Sequence, residues 1–105
     1  MDDCVFCKIA KDKSRKFYKE TENFVVLEPN DPKAPLHLLI VTKKHLLDIT
    51  EIEDGLWLEA KKIALELAKE NNLKSFRVVS NALGATQVKH FHMHFLGNIV
   101  LEREV

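Results

Sequence analysis

Apolar residues recur at steps of three and four through the middle of the chain, and this spacing predicts one long amphipathic helix. The helical pattern covers residues 50–71, and its apolar stripe consists of Ile52, Leu56, Ala60, Ile63, Ala64, Leu67 and Ala68. Thr50 and Glu53 fit a capping box, in which their side chains bond free amides at the helix start. Asn71 and Asn72 follow the stripe, so we expect the helix to end there.

Short runs rich in apolar and β-branched residues predict an antiparallel sheet around this helix. The predicted strands are residues 16–19, 24–28, 37–41, 76–80 and 90–96, with the first two forming a hairpin and residues 81–89 forming a loop. Residues 4–10 carry apolar side chains at helical spacing and predict a short N-terminal helix. Because the strands cluster without regular β-α-β alternation, we expect an α+β fold, with a five-stranded antiparallel sheet packed by the two helices.

Composition narrows the class of protein. The chain has 105 residues, so we expect residues 1–105 to form one domain. Lysine plus arginine and aspartate plus glutamate both number 16, and this zero net charge argues against a dedicated nucleic-acid or membrane-surface binder. The charged N-terminal segment does not resemble a secretory signal, and no apolar run is long enough to span a bilayer. Two cysteines are too few for a secreted disulfide framework, so we expect a cytoplasmic protein.

Three histidines alternate with apolar residues near the C-terminal end. Because side chains of a strand alternate between its faces, His90, His92 and His94 are predicted to share one face. Phe91, Met93 and Phe95 would share the other and pack on the long helix. A lone strand histidine is usually structural, but a row of titratable rings is costly to desolvate. A metal site is the competing interpretation, although positions on one strand do not easily converge on one ion, so the pattern favours catalysis.

These residues resemble the signature of the histidine triad (HIT) family, in its Hint-like bacterial nucleotide hydrolase branch. The match covers His-Phe-His-Met-His-Phe-Leu at residues 90–96, and it extends to residues 34–45 and to the opening residues 4–9. The resemblance implies a HIT-like fold and a homodimer with one continuous sheet. Trp57 and Leu58 lie outside the apolar stripe and add surface for such a dimer, unless a monomer covers them with its own N-terminal segment.

The resemblance implies nucleophilic catalysis at phosphorus. His92 would attack the α-phosphate of a nucleoside phosphoramidate, an acyl-adenylate or a dinucleoside polyphosphate, forming a nucleotidyl-histidine intermediate that water hydrolyses. The backbone carbonyl of His90 would hold the tautomer of His92, and His94 and His37 would donate hydrogen bonds to phosphate oxygens. The expected ligand is a purine nucleotide such as AMP, GMP or an adenylated small molecule, and the catalytic chemistry requires no metal.

Other candidate residues have ordinary structural alternatives. The resemblance places Asn81 and Gly84 near the phosphate and leaving group. From the residues alone, a structural strand histidine is the preferred interpretation of His37, and an ordinary turn residue is the alternative for Asn81. Gly84 could simply permit a left-handed turn.

A second set of residues carries metal-ligand chemistry. Cys4 and Cys7 are spaced so that their sulfurs face the same way on a helical turn. The resemblance implies a structural zinc ion held by these two cysteines together with His45 and His90, a closed site of two thiolates and two imidazoles. Reduced core thiols and a disulfide are the alternatives.

The chain departs from the family pattern at three places. Thr86 and Gln87 stand where the family has glutamine followed by a hydroxyl residue, so both are substrate-binding candidates. Pro29 replaces an aspartate that binds the ribose hydroxyls, and Glu28 beside it is the substitute candidate. After Gly97 come residues 98–105, so the longer tail that shapes leaving-group selectivity in some relatives is expected to be missing or different. A dinucleoside polyphosphate hydrolase, a purine-nucleotide-binding module with little activity and a zinc-stapled structural domain therefore remain alternatives to a phosphoramidase.

Overall fold

The computed structural model describes residues 4–99, which fold as two helices and a five-stranded antiparallel sheet. In chain order the elements are α1 (Val5–Lys11), β1 (Lys19–Glu20), β2 (Phe24–Leu27), β3 (Leu36–Thr42), α2 (Asp54–Glu70), β4 (Phe76–Val79) and β5 (His92–Gly97). The strands lie in the order β1-β2-β3-β5-β4. The predicted α+β class and sheet are therefore confirmed. Residues 100–105 of the predicted short tail lie outside the described part.

Two strands at the centre of the sheet bring distant histidines together. β3 pairs with β5 in a register that places Leu39 opposite His94 and Val41 opposite His92. His37 lies opposite Leu96, one step along the same face. Since residues two apart on a strand share a face, His37, His92 and His94 all lie on the side of the sheet away from α2.

The face of the sheet towards α2 carries the larger core. Phe24, Val26, Leu38, Ile40, Phe91, Met93 and Phe95 pack there against Ala60, Ile63, Ala64 and Leu67 of the helix. Burying each large side chain contributes about 1.5–3 kcal/mol, so this layer fixes the sheet that carries the histidines. The opposite face has a smaller core, in which Phe6 of α1 packs on Val25, Leu27, Leu39 and Val41.

Helix α2 begins later than the capping-box pattern predicts. Its N-cap is Glu53, which makes no side-chain cap bond, and Asp54 is the first helical residue. The Thr50 hydroxyl instead donates to the Asp48 carboxylate, so the prediction that Thr50 caps the helix is wrong. The predicted end is right, because Asn72 adopts the left-handed region at φ 50°. The Asn72 amide bonds the Lys69 carbonyl and the Leu73 amide bonds the Ala68 carbonyl, as in a Schellman cap.

Other expectations need smaller corrections. β1 is confined to Lys19–Glu20 instead of residues 16–19, and β5 begins at His92, so His90 lies in the bend before it. Trp57 is not spare surface, since its indole packs on the main core with its ring centroid 6.2 Å from that of Phe91. Leu58 is 54% exposed, as expected. Within residues 4–99, no helix combines the length and hydrophobicity needed to cross a bilayer.

Candidate active site and metal centre

His37, His92 and His94 line one cavity on the face of the sheet opposite α2. The cavity has a volume of about 750 Å³, within the range of small-molecule sites. One wall is apolar and comes from α1 and the sheet, with Val5, Phe6, Ile9, Leu27, Leu39 and Val88. The rim carries charged and polar groups, including Arg15, Glu28, Asn30, Asp31, Lys33 and Asn81. The cavity can therefore hold a ligand with an apolar ring and a polar group near the imidazoles.

The ring of His92 is held in one tautomer by a backbone carbonyl. Its Nδ1 lies 2.8 Å from the carbonyl oxygen of His90. A carbonyl oxygen only accepts, so Nδ1 carries the proton and donates it, and the neutral ring keeps a lone pair on Nε2. The Phe6 ring packs against this imidazole, with centroids 5.0 Å apart. His92 thus presents a nucleophilic nitrogen in a fixed orientation.

Two further imidazoles are linked to each other and to the chain. The backbone amide of Lys33 donates to Nδ1 of His37 over 2.9 Å, so in the neutral ring the proton lies on Nε2. That Nε2 is 3.0 Å from Nδ1 of His94 and donates to it. Neutral His94 therefore carries its proton on Nε2, free to donate to a ligand. Both nitrogens of His37 are engaged, so His37 has no N–H left for a phosphate oxygen.

Burial keeps this pair uncharged. Desolvation is the main cause that lowers the pKa of His37, with the Lys33 charge adding to it and Asp31 opposing it. Desolvation likewise lowers the pKa of His94, and the neighbouring rings of His92 and His37 lower it further. At neutral pH both rings are accordingly neutral, as the hydrogen-bond directions above require.

Beside the cavity, Cys4, Cys7, His45 and His90 form a compact cluster. One potential ligand atom from each lies within 4.8 Å of all the others. Nδ1 of His90 is 3.2 Å from Cys4 Sγ and 3.4 Å from Cys7 Sγ, and Nδ1 of His45 is 3.1 Å from Cys7 Sγ. Sulfur and nitrogen ligands of one tetrahedral zinc ion would lie about 3.5 Å apart, given Zn–S and Zn–N bonds of about 2.3 and 2.0–2.1 Å. The spacing of the donors fits zinc.

The hydrogen bonds around the cluster support the same fit. Nε2 of His90 donates to the Thr42 carbonyl over 2.7 Å, which leaves the Nδ1 lone pair facing the two sulfurs. A metal-binding histidine usually donates the N–H of its other ring nitrogen to an acceptor such as a backbone carbonyl. Cys4 is the N-cap of α1, and its sulfur accepts from the Cys7 amide over 3.4 Å. Burial, followed by the Cys4 thiol, raises the pKa of the Cys7 thiol, a shift that a cation between them would oppose.

Comparison with known proteins identifies the family. The profile described as scavenger mRNA decapping enzyme C-term binding matches residues 3–102. An uncharacterized HIT-like protein of Chlamydia trachomatis is 40% identical over 88 residues, covering 78% of this chain and 79% of the relative. The chain belongs to the histidine triad family.

Some relatives in the family have named activities. Adenosine 5'-monophosphoramidase HNT1 of Saccharomyces cerevisiae is 32% identical over 96 residues, covering 89% of this chain and 61% of the relative. Adenosine 5'-monophosphoramidase HINT3 of Danio rerio is 30% identical over 101 residues, covering 89% of this chain and 63% of the relative. This chain spans less than two thirds of either enzyme. These relatives support a hydrolase role.

Solved structures of the histidine triad family share the fold along the whole chain. A histidine triad protein from Clostridium difficile has a TM-score of 0.88 at 30% identity and covers 100% of this chain and 98% of its own. A HIT family hydrolase from Clostridium thermocellum has a TM-score of 0.89 at 29% identity with the same coverage. A Zn-bound histidine triad family protein from Mycobacterium smegmatis has a TM-score of 0.83 at 22% identity, covers 97% and 79%, and is a likeness of fold.

The predicted residues of the triad separate into two groups. His92 and His94 line the cavity with His37, whereas His90 is fully buried in the cysteine cluster. The strand alternation alone predicts all three imidazoles displayed together, whereas the resemblance assigns His90 to the cysteine set, and the structure places its ring in that set. The ring still lies on the same side of the sheet as His92, because both rings pack against Phe6 of α1, but Thr42 and the two cysteines hold it away from the cavity.

The predicted substrate-binding residues are distributed around the rim. Glu28, Asn81, Thr86 and Gln87 line the cavity, and Glu28 does so together with Pro29 because β2 has already ended at Leu27. Gly84 does not line the cavity. Gly84 also has no positive φ, and the left-handed residue of this turn is its neighbour Leu83, at φ 56°.

Three contributors to the site were not found from the sequence. Phe6 touches the His92 ring, the Lys33 amide orients His37, and Asp48 bonds the turn at Leu83. The sequence offers a signal for Phe6, because this residue lies in the helix that carries the cysteines. The other two act through a backbone amide and a contact between segments 35 residues apart, and no residue pattern reports such contacts.

Proposed function

We propose that this protein is a purine nucleotide phosphoramidase, or more broadly a nucleotidyl hydrolase, acting at the α-phosphate through a nucleotidyl-histidine intermediate on His92. The observation that carries the proposal is the 2.8 Å bond from His92 Nδ1 to the His90 carbonyl, which leaves Nε2 as a lone-pair nucleophile. The two phosphoramidase relatives support this reaction class.

The proposed reaction proceeds in two displacements. Nε2 of His92 attacks the α-phosphorus, the phosphorus–nitrogen bond of the substrate breaks, and the amine leaves with a proton from solvent. Water then cleaves the bond between phosphorus and His92, releasing the nucleoside monophosphate and the neutral imidazole. The bond to the His90 carbonyl stabilises the positive ring of the intermediate.

His94 and His37 take different parts in this proposal. Nε2–H of His94 donates a hydrogen bond to a non-bridging phosphate oxygen as charge develops there. His37 acts through His94, because its own Nε2–H holds the His94 tautomer. This assignment replaces the initial expectation that both rings contact phosphate.

The rim residues are proposed to bind the rest of the substrate. The apolar wall around Phe6 and Leu27 receives the purine, and Glu28 accepts hydrogen bonds from the ribose hydroxyls. Asn81 and Gln87 face the phosphate and the leaving group, while Gly84 only shapes the turn. Thr86 is also structural in this respect, since its hydroxyl donates to the Val88 carbonyl over 2.9 Å.

Cys4, Cys7, His45 and His90 are proposed to hold a structural zinc ion. Bound there, zinc would supply no chemistry to the reaction and would cross-link α1, the segment after β3 and the bend before β5. The same His90 residue provides the carbonyl that orients His92, so the cluster supports the nucleophile directly.

A homodimer completes the proposal. Leu58 and Leu65 of α2 are 54% and 51% exposed, and Phe76 and Val78 of the edge strand β4 are 40% and 44% exposed. An edge strand that carries exposed apolar residues is a typical protein contact surface. We place the protein in the cytoplasm as a binder of purine nucleotides such as AMP, GMP or an adenylated small molecule.

The deciding experiment follows AMP release from an adenosine phosphoramidate. Wild-type protein is compared with His92→Ala and with Lys13→Ala, a matched substitution of an exposed residue outside the cavity. Turnover that disappears only in His92→Ala supports the proposal. Turnover that survives in His92→Ala would exclude this nucleophile, and AMP binding without any turnover would instead favour a nucleotide-binding module. A diadenosine polyphosphate tested in parallel separates the dinucleoside polyphosphate hydrolase.

A further inference from the structure

A buried carboxylate joins two segments that are far apart in the chain. Asp48, between β3 and α2, is only 4% exposed. One of its oxygens accepts from the amide and the hydroxyl of Thr50. The other accepts from the backbone amide of Leu83 over 2.9 Å. The bonds to Thr50 belong to a local turn, whereas the bond to Leu83 joins two distant segments.

Leu83 has a backbone conformation that its side chain does not favour. Its φ of 56° lies in the left-handed region, where the Cβ of an L-residue is crowded. The side chain is 68% exposed and so is not anchored by packing. The Asp48 bond and the turn bond from the Ala85 amide to the Ala82 carbonyl therefore hold this backbone in place.

The turn at Leu83 belongs to the loop that forms one side of the histidine cavity. Asn81 precedes it, and Ala85, Thr86 and Gln87 follow it along the cavity wall. The segment that carries Asp48 is itself fixed, because the Leu46 carbonyl accepts from the Phe91 amide over 2.7 Å, immediately before β5. Asp48 thus links the loop to the strand that carries His92.

We propose that Asp48 is a positioning residue, which holds the loop of residues 81–87 against the cavity through the Leu83 amide and thereby sets substrate affinity. The kinetic part rests on the hydrolase function proposed above. Hydrogen bonds from the Thr50 hydroxyl and the Leu83 amide lower the pKa of Asp48, so the carboxylate stays ionised at neutral pH and its bonds are charge-assisted.

The test compares Asp48→Ala with two matched variants. Asp12 makes the same local turn, accepting from the Ser14 amide and hydroxyl, but within residues 4–99 its carboxylate does not bond the cavity loop, so Asp12→Ala is the control. Thr50→Ala removes the local hydroxyl bond and keeps the Leu83 bond. We expect Asp48→Ala to lower kcat/KM by about 10–100-fold, mostly through KM, because misplaced binding groups cost rates of this order. Both comparison variants should stay within about twofold of wild type. Equal losses in Asp48→Ala and Thr50→Ala would overturn the proposal.

Rescue and amide exchange test the mechanism of the effect. Asp48→Asn keeps one of the two acceptor oxygens, which can still accept from the Leu83 amide, and should recover part of the KM. Leu83→Gly in the Asp48→Ala background should recover part of it, since glycine adopts a positive φ freely. Exchange of the Leu83 amide, measured by NMR, should be at least about tenfold faster in Asp48→Ala than in Asp12→Ala because the acceptor is lost. Unchanged exchange would refute the positioning role, whether or not the protein turns over a phosphoramidate. AMP affinity, measured by calorimetry, tests the same role without turnover, because Asp48→Ala should bind AMP more weakly than Asp12→Ala.

Discussion

Nε2 of His37 lies 3.0 Å from Nδ1 of His94, and this contact determines which nitrogen of His94 carries a proton. The Lys33 amide donates to the other nitrogen of His37. Each group in this series therefore donates to the next, from the Lys33 amide through His37 to His94, whose remaining N–H faces the cavity. A ligand phosphate would meet an N–H of His94 and a lone pair of His92. The two rings are 5.2 Å apart at their centroids, close enough to act on one phosphoryl group.

The His37–His94 contact predicts that His37 can be replaced by glutamine better than by alanine. A glutamine amide can reach the position of Nε2 and donate to His94, whereas alanine leaves the tautomer unset. We expect His37→Ala to lower kcat by about 100-fold, the lower range for a group in proton-transfer chemistry. His37→Gln should retain at least about ten times the activity of His37→Ala. Steady-state kinetics on an adenosine phosphoramidate measure both, and equal losses would contradict a role of His37 in holding the His94 tautomer.

The lowered pKa values of His37 and His94 predict loss of activity on the acid side. Catalysis requires both rings to be neutral, and their pKa values lie below the ordinary histidine value of about 6.5, so kcat/KM should be level near neutral pH and fall only at pH below that value. Protonation of His94 would remove the acceptor for His37. A pH–rate profile checks this, and in His37→Gln the ionisation of His37 should be missing from the profile. A rate that rises towards pH 5 would contradict the neutral pair.

Stability should follow pH in the same direction. Folded-state pKa values below the ordinary value mean that the unfolded chain binds more protons, so the contribution of His37 and His94 is fully present above about pH 6.5. It declines as pH falls through the lowered folded values. Urea unfolding at a series of pH values measures the trend, with His37→Gln expected to show a shallower decline than wild type.

Much of this architecture follows from local patterns. The stripe on α2 and the alternation in β5 are regular because each buries one continuous face against the other, so periodicity predicts both. The end of α2 at Asn71 and Asn72 was also readable, since asparagine tolerates the left-handed region.

The failures arise where a distant contact outweighs a local pattern. Thr50 resembles a cap, but the Asp48 carboxylate takes its hydroxyl because the same carboxylate is fixed by the Leu83 amide. For His90 the alternation alone predicts display beside His92 and His94, whereas the resemblance assigns its ring to the cysteine cluster, where the Thr42 carbonyl and the two cysteines hold it. Trp57 lies off the apolar stripe, yet its large ring still reaches Phe91.

The exposed residues of α2 and β4 predict a dimer that one charge can break. Leu65 is 51% exposed on α2, and Leu65→Glu would place an unpaired carboxylate in the proposed contact. We expect wild-type protein to have the mass of two chains and Leu65→Glu that of one, by light scattering after gel filtration. Leu47→Glu is the control, because Leu47 is 41% exposed in the segment after β3. A monomeric wild type would reject the dimer.

Metal removal should act on the nucleophile as well as on stability. His90 offers its ring to the cysteine cluster and its carbonyl to His92, so loss of zinc would loosen both. At free zinc a thousandfold above the dissociation constant, binding adds about 4 kcal/mol, or on the order of 20 °C in Tm for a domain of this size. We expect one zinc per chain by elemental analysis and a fall in Tm and kcat on chelation, both restored by zinc. Cobalt substitution should give the visible absorption of a tetrahedral thiolate site, absent in Cys7→Ser and unchanged in Ser14→Ala. If the wild-type protein contains no metal and its Tm changes with neither chelators nor added zinc, the zinc proposal is wrong and Cys4 and Cys7 are core thiols.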